Sequence, residues 1–215
     1  MTTSLTQTPL NTWQKADWSE FVQIADDPKN SKLKGYYYQG HLRLEPMSTG
    51  SDHSQDHALI LFMLTFWVGQ RQILATVKDA CSYRQPGRNE LQPDISVYVG
   101  DQANSIPWGT RVVDLDSYPL PDLVIEISDT SLADDLGAKR LQYEDLGIAE
   151  YWIVAVETQH IFGFSISPDG TSRRIRTSQV LPGLALNLLE QALQRSRTAN
   201  QAAVTAWFMG QIQAQ

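Results

Sequence analysis

The chain has 215 residues, 42% of them apolar and 19% charged, with 24 acidic and 17 basic side chains and a net charge of −7. A chain of this length and composition buries a sizeable core without disulfide staples, which excludes wholesale disorder. The acidic surplus excludes attachment to nucleic acid through bulk charge, so a nucleic-acid partner requires a local basic patch or a bound cation.

Residues 1–11 are polar and read as a loose N-terminus, with neither the basic nor the apolar segment of a secretory signal. Asp17-Trp18-Ser19-Glu20 has capping-box spacing, and the pattern predicts a helix over 17–25, ended by Asp27-Pro28. Tyr36 to Glu45 alternates as a strand, and Gln39-Gly40 is a turn that makes it a hairpin. The strongest helix is 52–71, almost continuously apolar from Ala58 to Val68 and therefore largely buried. No apolar run approaches the ~20 residues of a membrane-spanning helix. Strands are predicted over 73–80 and 95–99, joined by a loop that holds Arg84, Pro86, Gly87 and Arg88. The single cysteine, Cys81, excludes an internal disulfide, reads as a small buried hydrophobe and fits a cytoplasmic protein.

A polar loop covers 100–120, and Leu123-Val-Ile-Glu-Ile, bounded by Pro121 and Asp129, is a central strand. A helix over 131–147 follows, capped by Thr130 or Ser131 and ended at Gly147. Strands over 151–156, 160–166 and 172–177 come next, the last two flanking a turn at Pro168-Asp169-Gly170. Helices over 186–194 and 202–212 complete the chain. The order is that of a mixed α/β domain. The expectation is a single domain over 1–215, with its core in about 35–190 and a C-terminal helix in 199–213.

Three polar residues stand where apolar ones belong. Asp94 opens a strand directly after Pro93; a turn residue at a strand start explains it equally well. Glu126 sits between Ile125 and Ile127, and a carboxylate inside a central strand costs several kcal/mol unless a partner, a proton or a metal offsets it. An edge strand with Glu126 facing water is the alternative. Lys139 falls on the helical stripe that runs from Leu132 and Leu136 to Tyr143, while Arg140 falls off it. A snorkelling lysine, or one paired with Asp135 a turn earlier, also fits. Together the three make a set: two hard oxygen ligands on adjacent strands hold Mg²⁺ with most of its waters, and a nearby lysine serves an attacking water or a phosphate. That chemistry is phosphodiester hydrolysis.

The pattern Pro93-Asp94, then Pro121-Asp-Leu-Val-Ile-Glu126-Ile-Ser128, then Asp135-x-x-x-Lys139-x-x-x-Tyr143-x-x-x-Gly147-Ile148-x-Glu150-Tyr151-Trp152-Ile153-Val154 resembles the Uma-two family of restriction-endonuclease-like proteins, within the PD-(D/E)XK nuclease superfamily. Leu181-Pro182-Gly183-Leu184 also resembles that family, and the resemblance covers about 35–190. It implies a restriction-endonuclease-like core, a mixed central β-sheet flanked by α-helices, and a Mg²⁺- or Mn²⁺-dependent DNA endonuclease. Asp94 and Glu126 would be metal ligands, with the Ile127 carbonyl a third. The superfamily's third motif places a lysine two residues after the acid, and here that place is Ser128, so the resemblance implies that Lys139 substitutes for it.

His57 stands at the place matching the superfamily's helix glutamate, and its stripe with Leu61, Leu64 and Val68 directs it toward the site; a helix-cap or core histidine fits as well. His53 and His57, with Asp52 and Asp56 beside them, have zinc-compatible spacing but lack the metalloprotease glutamate. Glu45 ends an earlier strand and is a further candidate. Arg84, Arg88, Arg173, Arg174 and Arg176 are candidates for a phosphate-binding patch, with solvated surface charge the plain alternative. Ala203, Val204, Trp207, Phe208 and Ile212 form an apolar stripe that predicts a homodimer through the C-terminal helix. The rival to an endonuclease is a catalytically inactive nucleic-acid- or protein-interaction module on the same fold.

Overall fold

The computed structural model describes residues 9–47 and 50–213; the expectation for residues 1–8 lies outside them. In chain order these residues form β1 (Gln14–Lys15), α1 (Trp18–Ala25), β2 (Leu33–Tyr38), β3 (His41–Pro46), α2 (Ser51–Gln70), β4 (Ala75–Asp79), β5 (Ser82–Gln85), β6 (Asn89–Leu91), β7 (Ile95–Val99), β8 (Val112–Asp114), β9 (Leu123–Ser128), α3 (Leu132–Asp135), α4 (Ala138–Leu146), β10 (Glu150–Ala155), β11 (His160–Ile166), β12 (Ser172–Ile175), α5 (Leu186–Ser196) and α6 (Gln201–Gln213). None of these helices is long and apolar enough to cross a membrane.

Two compact units result. Of the described residues, the first gathers 9–47, 82–92 and 110–118; the second gathers 50–81, 93–109 and 119–213. The first is built on a sheet of order β1-β3-β2-β6-β5-β8. Its β2–β3 hairpin turns at Gln39 and Gly40, both at positive φ (47° and 73°), which is the backbone a two-residue turn between twisted strands requires. Phe21 of α1 is fully buried against Ala16, Tyr37, Leu42 and Leu44. The loop expected between the strands at 73–80 and 95–99 carries β5 and β6, paired about Pro86-Gly87-Arg88. Each strand is too short for its alternation to register in the sequence. Cys81 is only half-buried.

The second unit is a sheet of order β12-β11-β10-β9-β7-β4, in which β9 and β10 run parallel and the other pairs antiparallel. Parallel neighbours need a crossover, and α3 with α4 supplies it. Leu123, Ile125 and Ile127 of β9 point into a core shared with α2, α5 and α6. Strand alternation puts Val124, Glu126 and Ser128 on the opposite face. The helix expected over 131–147 is broken at Gly137, where a side-chain Cβ would lie 2.9 Å from the Ala133 carbonyl oxygen.

The C-terminal stripe packs largely within its own unit. Val204, Phe208 and Ile212 are buried in that core, while Trp207 is half-buried and Ala203 exposed. Most of the surface that the stripe covers is intramolecular. Phe208→Ala should therefore destabilise the chain by about 3–5 kcal/mol in urea titration, as buried aromatic truncations do. An unchanged midpoint would place α6 off the core.

Candidate functional site

All the site residues below belong to the second unit. The β7–β9 register pairs Ile95 with Ile125, so the next rung sets Asp94 opposite Glu126. Asp94 lies one residue before β7 begins, and its side chain completes the ladder there: Oδ2 accepts the Ile127 amide hydrogen bond at 2.7 Å. Both polar groups of one extended residue point to the same side of the strand, so the Ile127 carbonyl is directed toward the Asp94 side as well. Glu126 is 2% exposed, and its Oε1 accepts from the Tyr143 hydroxyl at 2.7 Å. Burial first, then the Glu126 charge, pushes the Tyr143 phenol well above its usual range, so it stays a proton donor at any working pH.

Lys139 reaches this face from α4. Its Nζ lies 3.9 Å from Glu126 Oε1 and 3.0 Å from Asp135 Oδ1, and the residue is 1% exposed. Asp135 is fully buried and its Oδ2 accepts from Ser131 Oγ at 2.6 Å. The Tyr151 hydroxyl donates to the Asp135 carbonyl at 3.0 Å. The pairing with Asp135 and the approach to Glu126, read from sequence as alternatives, coexist. Arg140, one position round the helix, turns instead to Glu144 at 3.1 Å and over the Phe164 ring.

The two histidines divide differently from the expectation. His57 Nε2 lies 3.3 Å from Asp79 Oδ1, on β4, whereas His53 Nε2 lies 3.9 Å from Asp94 Oδ1. Both occupy the opening turns of α2 four residues apart, so spacing alone could not choose between them. Asp56 is fully buried and held by both Arg197 terminal nitrogens at 2.6 Å, which removes it from any zinc set. Among the described residues, no three of His, Cys, Asp and Glu are grouped as a metal site. Glu45 belongs to the first unit, where Arg43 Nε donates to it at 2.6 Å. Arg84 is committed there to Asp26 and Glu90, and Arg88 to Asp116, which takes both out of the phosphate patch.

Glu150, though adjacent to the Tyr-Trp motif, has another task. It pairs with Leu123 across the sheet and so lies on the face opposite Glu126. Its oxygens accept from Trp152 Nε1 (3.1 Å), Ser178 Oγ (2.8 Å), and the amides of Gln179 (2.5 Å) and Val180 (3.1 Å). This carboxylate ties down the turn that leads into Leu181-Pro182-Gly183. Sequence reasoning missed Glu150 and the Tyr143 hydroxyl; an acid or phenol among buried apolar residues was the available signal for both.

The Uma2 family, described as "Putative restriction endonuclease", matches residues 18–201, and the chain belongs to that family. Among solved structures, a "putative nuclease belonging to DUF820" from Anabaena variabilis is similar in fold, with a TM-score of 0.58 and 18% identity over 82% of this chain and 98% of that one. Comparison with curated proteins finds no match.

Glu150→Gln should cost about 2–4 kcal/mol, because an amide nitrogen would face donors that now meet a carboxylate. Thermal unfolding checks this, and a Tm equal to wild type would refute the tie.

Proposed function

We propose that the chain is a divalent-metal-dependent endonuclease that hydrolyses phosphodiester bonds in DNA, with Asp94, Glu126 and the Ile127 carbonyl as metal ligands. The observation that carries the reading is the convergence of Asp94, Glu126 and Lys139 on one polar cluster. Charge supports the same conclusion. Asp94, Glu126 and Asp135 bring three buried carboxylates into one region of the fold, and a divalent cation is a group that offsets such charge. The donor set is all oxygen and provides two carboxylates, which suits Mg²⁺ or Mn²⁺ with retained waters rather than a closed zinc site. When bound, such an ion supplies Lewis-acid polarisation of a phosphoryl oxygen.

The protein's own groups do the rest. Tyr143 holds the Glu126 carboxylate in one orientation. Asp135 holds the Lys139 ammonium within reach of Glu126, where it stabilises charge that develops on the phosphate and orients the attacking water. His57 is directed at Asp79 and takes no step in this scheme. The burial of Glu126, Asp135 and Lys139 favours a second reading, an inactive interaction module in which the cluster serves only folding.

Cleavage of supercoiled and linear DNA with Mg²⁺ or Mn²⁺ separates the two readings. Lys139→Met should lower the Tm, because Asp135 and Glu126 lose their cation, and should lose ~10²–10³ in rate when assayed well below that Tm. Arg140→Met should stay near wild type. Equal loss in both variants would indicate general DNA binding, and absence of cleavage by the wild type would leave the second reading. Mg²⁺ or Mn²⁺ should raise the Tm of the wild type but not of Asp94→Ala; equal responses would remove the ion from Asp94.

A further inference from the structure

Several basic side chains in this acidic chain are held by carboxylates. Arg43 meets Glu45, Arg84 meets Asp26 and Glu90, Arg88 meets Asp116, Arg140 meets Glu144 and Arg197 meets Asp56. The strand at the sheet edge gathers three arginines outside these pairs. Arg173, Arg174 and Arg176 are exposed on or just beyond β12, and among the described residues none has a carboxylate within ion-pair distance. The Arg174 guanidinium carbon lies over the Phe162 and Phe164 rings, at 4.8 and 5.3 Å to their centroids, which holds the group without neutralising it. Burial and then the neighbouring Arg176 charge lower the Arg174 pKa, while Glu190 acts the other way.

Register places this edge relative to the acidic cluster. Arg174 pairs with Phe164, Phe164 with Tyr151, and Tyr151 with Val124. Directly paired residues share a sheet face, so Arg174 lies on the face of Val124 and Glu126, three strand spacings away. At ~4.8 Å per spacing this is about 15 Å, or roughly four base-pair rises of ~3.4 Å along the axis of a duplex.

We infer that Arg174 and Arg176 form a backbone grip that holds the phosphates of a nucleic-acid substrate to one side of the bond cut at Asp94 and Glu126. The inference rests on the nuclease reading. A grip of this kind reads charge and not sequence, so it supplies the local basic patch that a chain of net charge −7 requires. Arginines on an edge strand also guard against strand-to-strand aggregation, and the experiment must distinguish that role.

Anisotropy with a labelled oligonucleotide, single-stranded and duplex, in Ca²⁺ between about 50 and 200 mM salt gives the slope of log affinity against log salt. Arg174→Gln/Arg176→Gln should flatten the duplex slope by about two, and the single-strand slope by somewhat less. Arg174→Lys/Arg176→Lys should restore it. In Mg²⁺ the glutamine variant should raise KM and leave kcat unchanged. A wild type that binds and cleaves, with an unchanged slope in the glutamine variant, overturns the grip and leaves the nuclease reading intact. Aggregation of that variant with unchanged affinity likewise overturns it in favour of edge protection. A wild type that neither binds nor cleaves either form overturns the nuclease reading, and the grip with it.

Discussion

A lysine ammonium removed from water is the constraint around which the second unit is arranged. Stripping an ammonium of its hydration costs several kcal/mol, and only well-placed carboxylates offset it. Lys139 obtains Asp135 at 3.0 Å and Glu126 at 3.9 Å. Each of these acids then needs further donors: Ser131 for Asp135, and Tyr143 for Glu126. Removing any one member leaves a buried charge uncompensated, so the cluster holds together as a network rather than as separate pairs.

The sheet determines where that network forms. Alternation along β9 sends Leu123, Ile125 and Ile127 to the apolar core and leaves Glu126 on the other face. Asp94 arrives because β7 ends one rung short and its carboxylate takes over the vacant ladder position at Ile127. The same feature brings Asp94 to the Ile127 peptide, next to Glu126. On the far face Glu150 accepts from Trp152 on its own strand and from Ser178, Gln179 and Val180 of a turn. Two glutamates on neighbouring parallel strands thus differ in role because they point to opposite sides of one sheet.

Much of this was legible in the chain. The 3.6-residue spacing from Leu136 through Lys139 to Tyr143 put the lysine on the buried stripe, and it is there. Glu126 in an isoleucine run was correctly read as buried. The short strands β5 and β8 were not legible, since three or four residues cannot show a period. Nor was the choice between His53 and His57, which depends on the entry angle of α2. The apolar stripe of α6 was visible, but a stripe carries no address, and only the fold shows that its partner surface lies within the same unit.

The break at Gly137 has a mechanical consequence. A lysine carried on β9 would share the stiffness of a hydrogen-bonded sheet. Carried on α4, it follows a break at a residue with no side chain, where an added Cβ would lie 2.9 Å from the Ala133 carbonyl oxygen. Its place relative to Glu126 is set by that break and by the Asp135 and Tyr143 contacts, not by strand pairing. The acids are thus positioned by sheet register and the cation by a discontinuity in a helix.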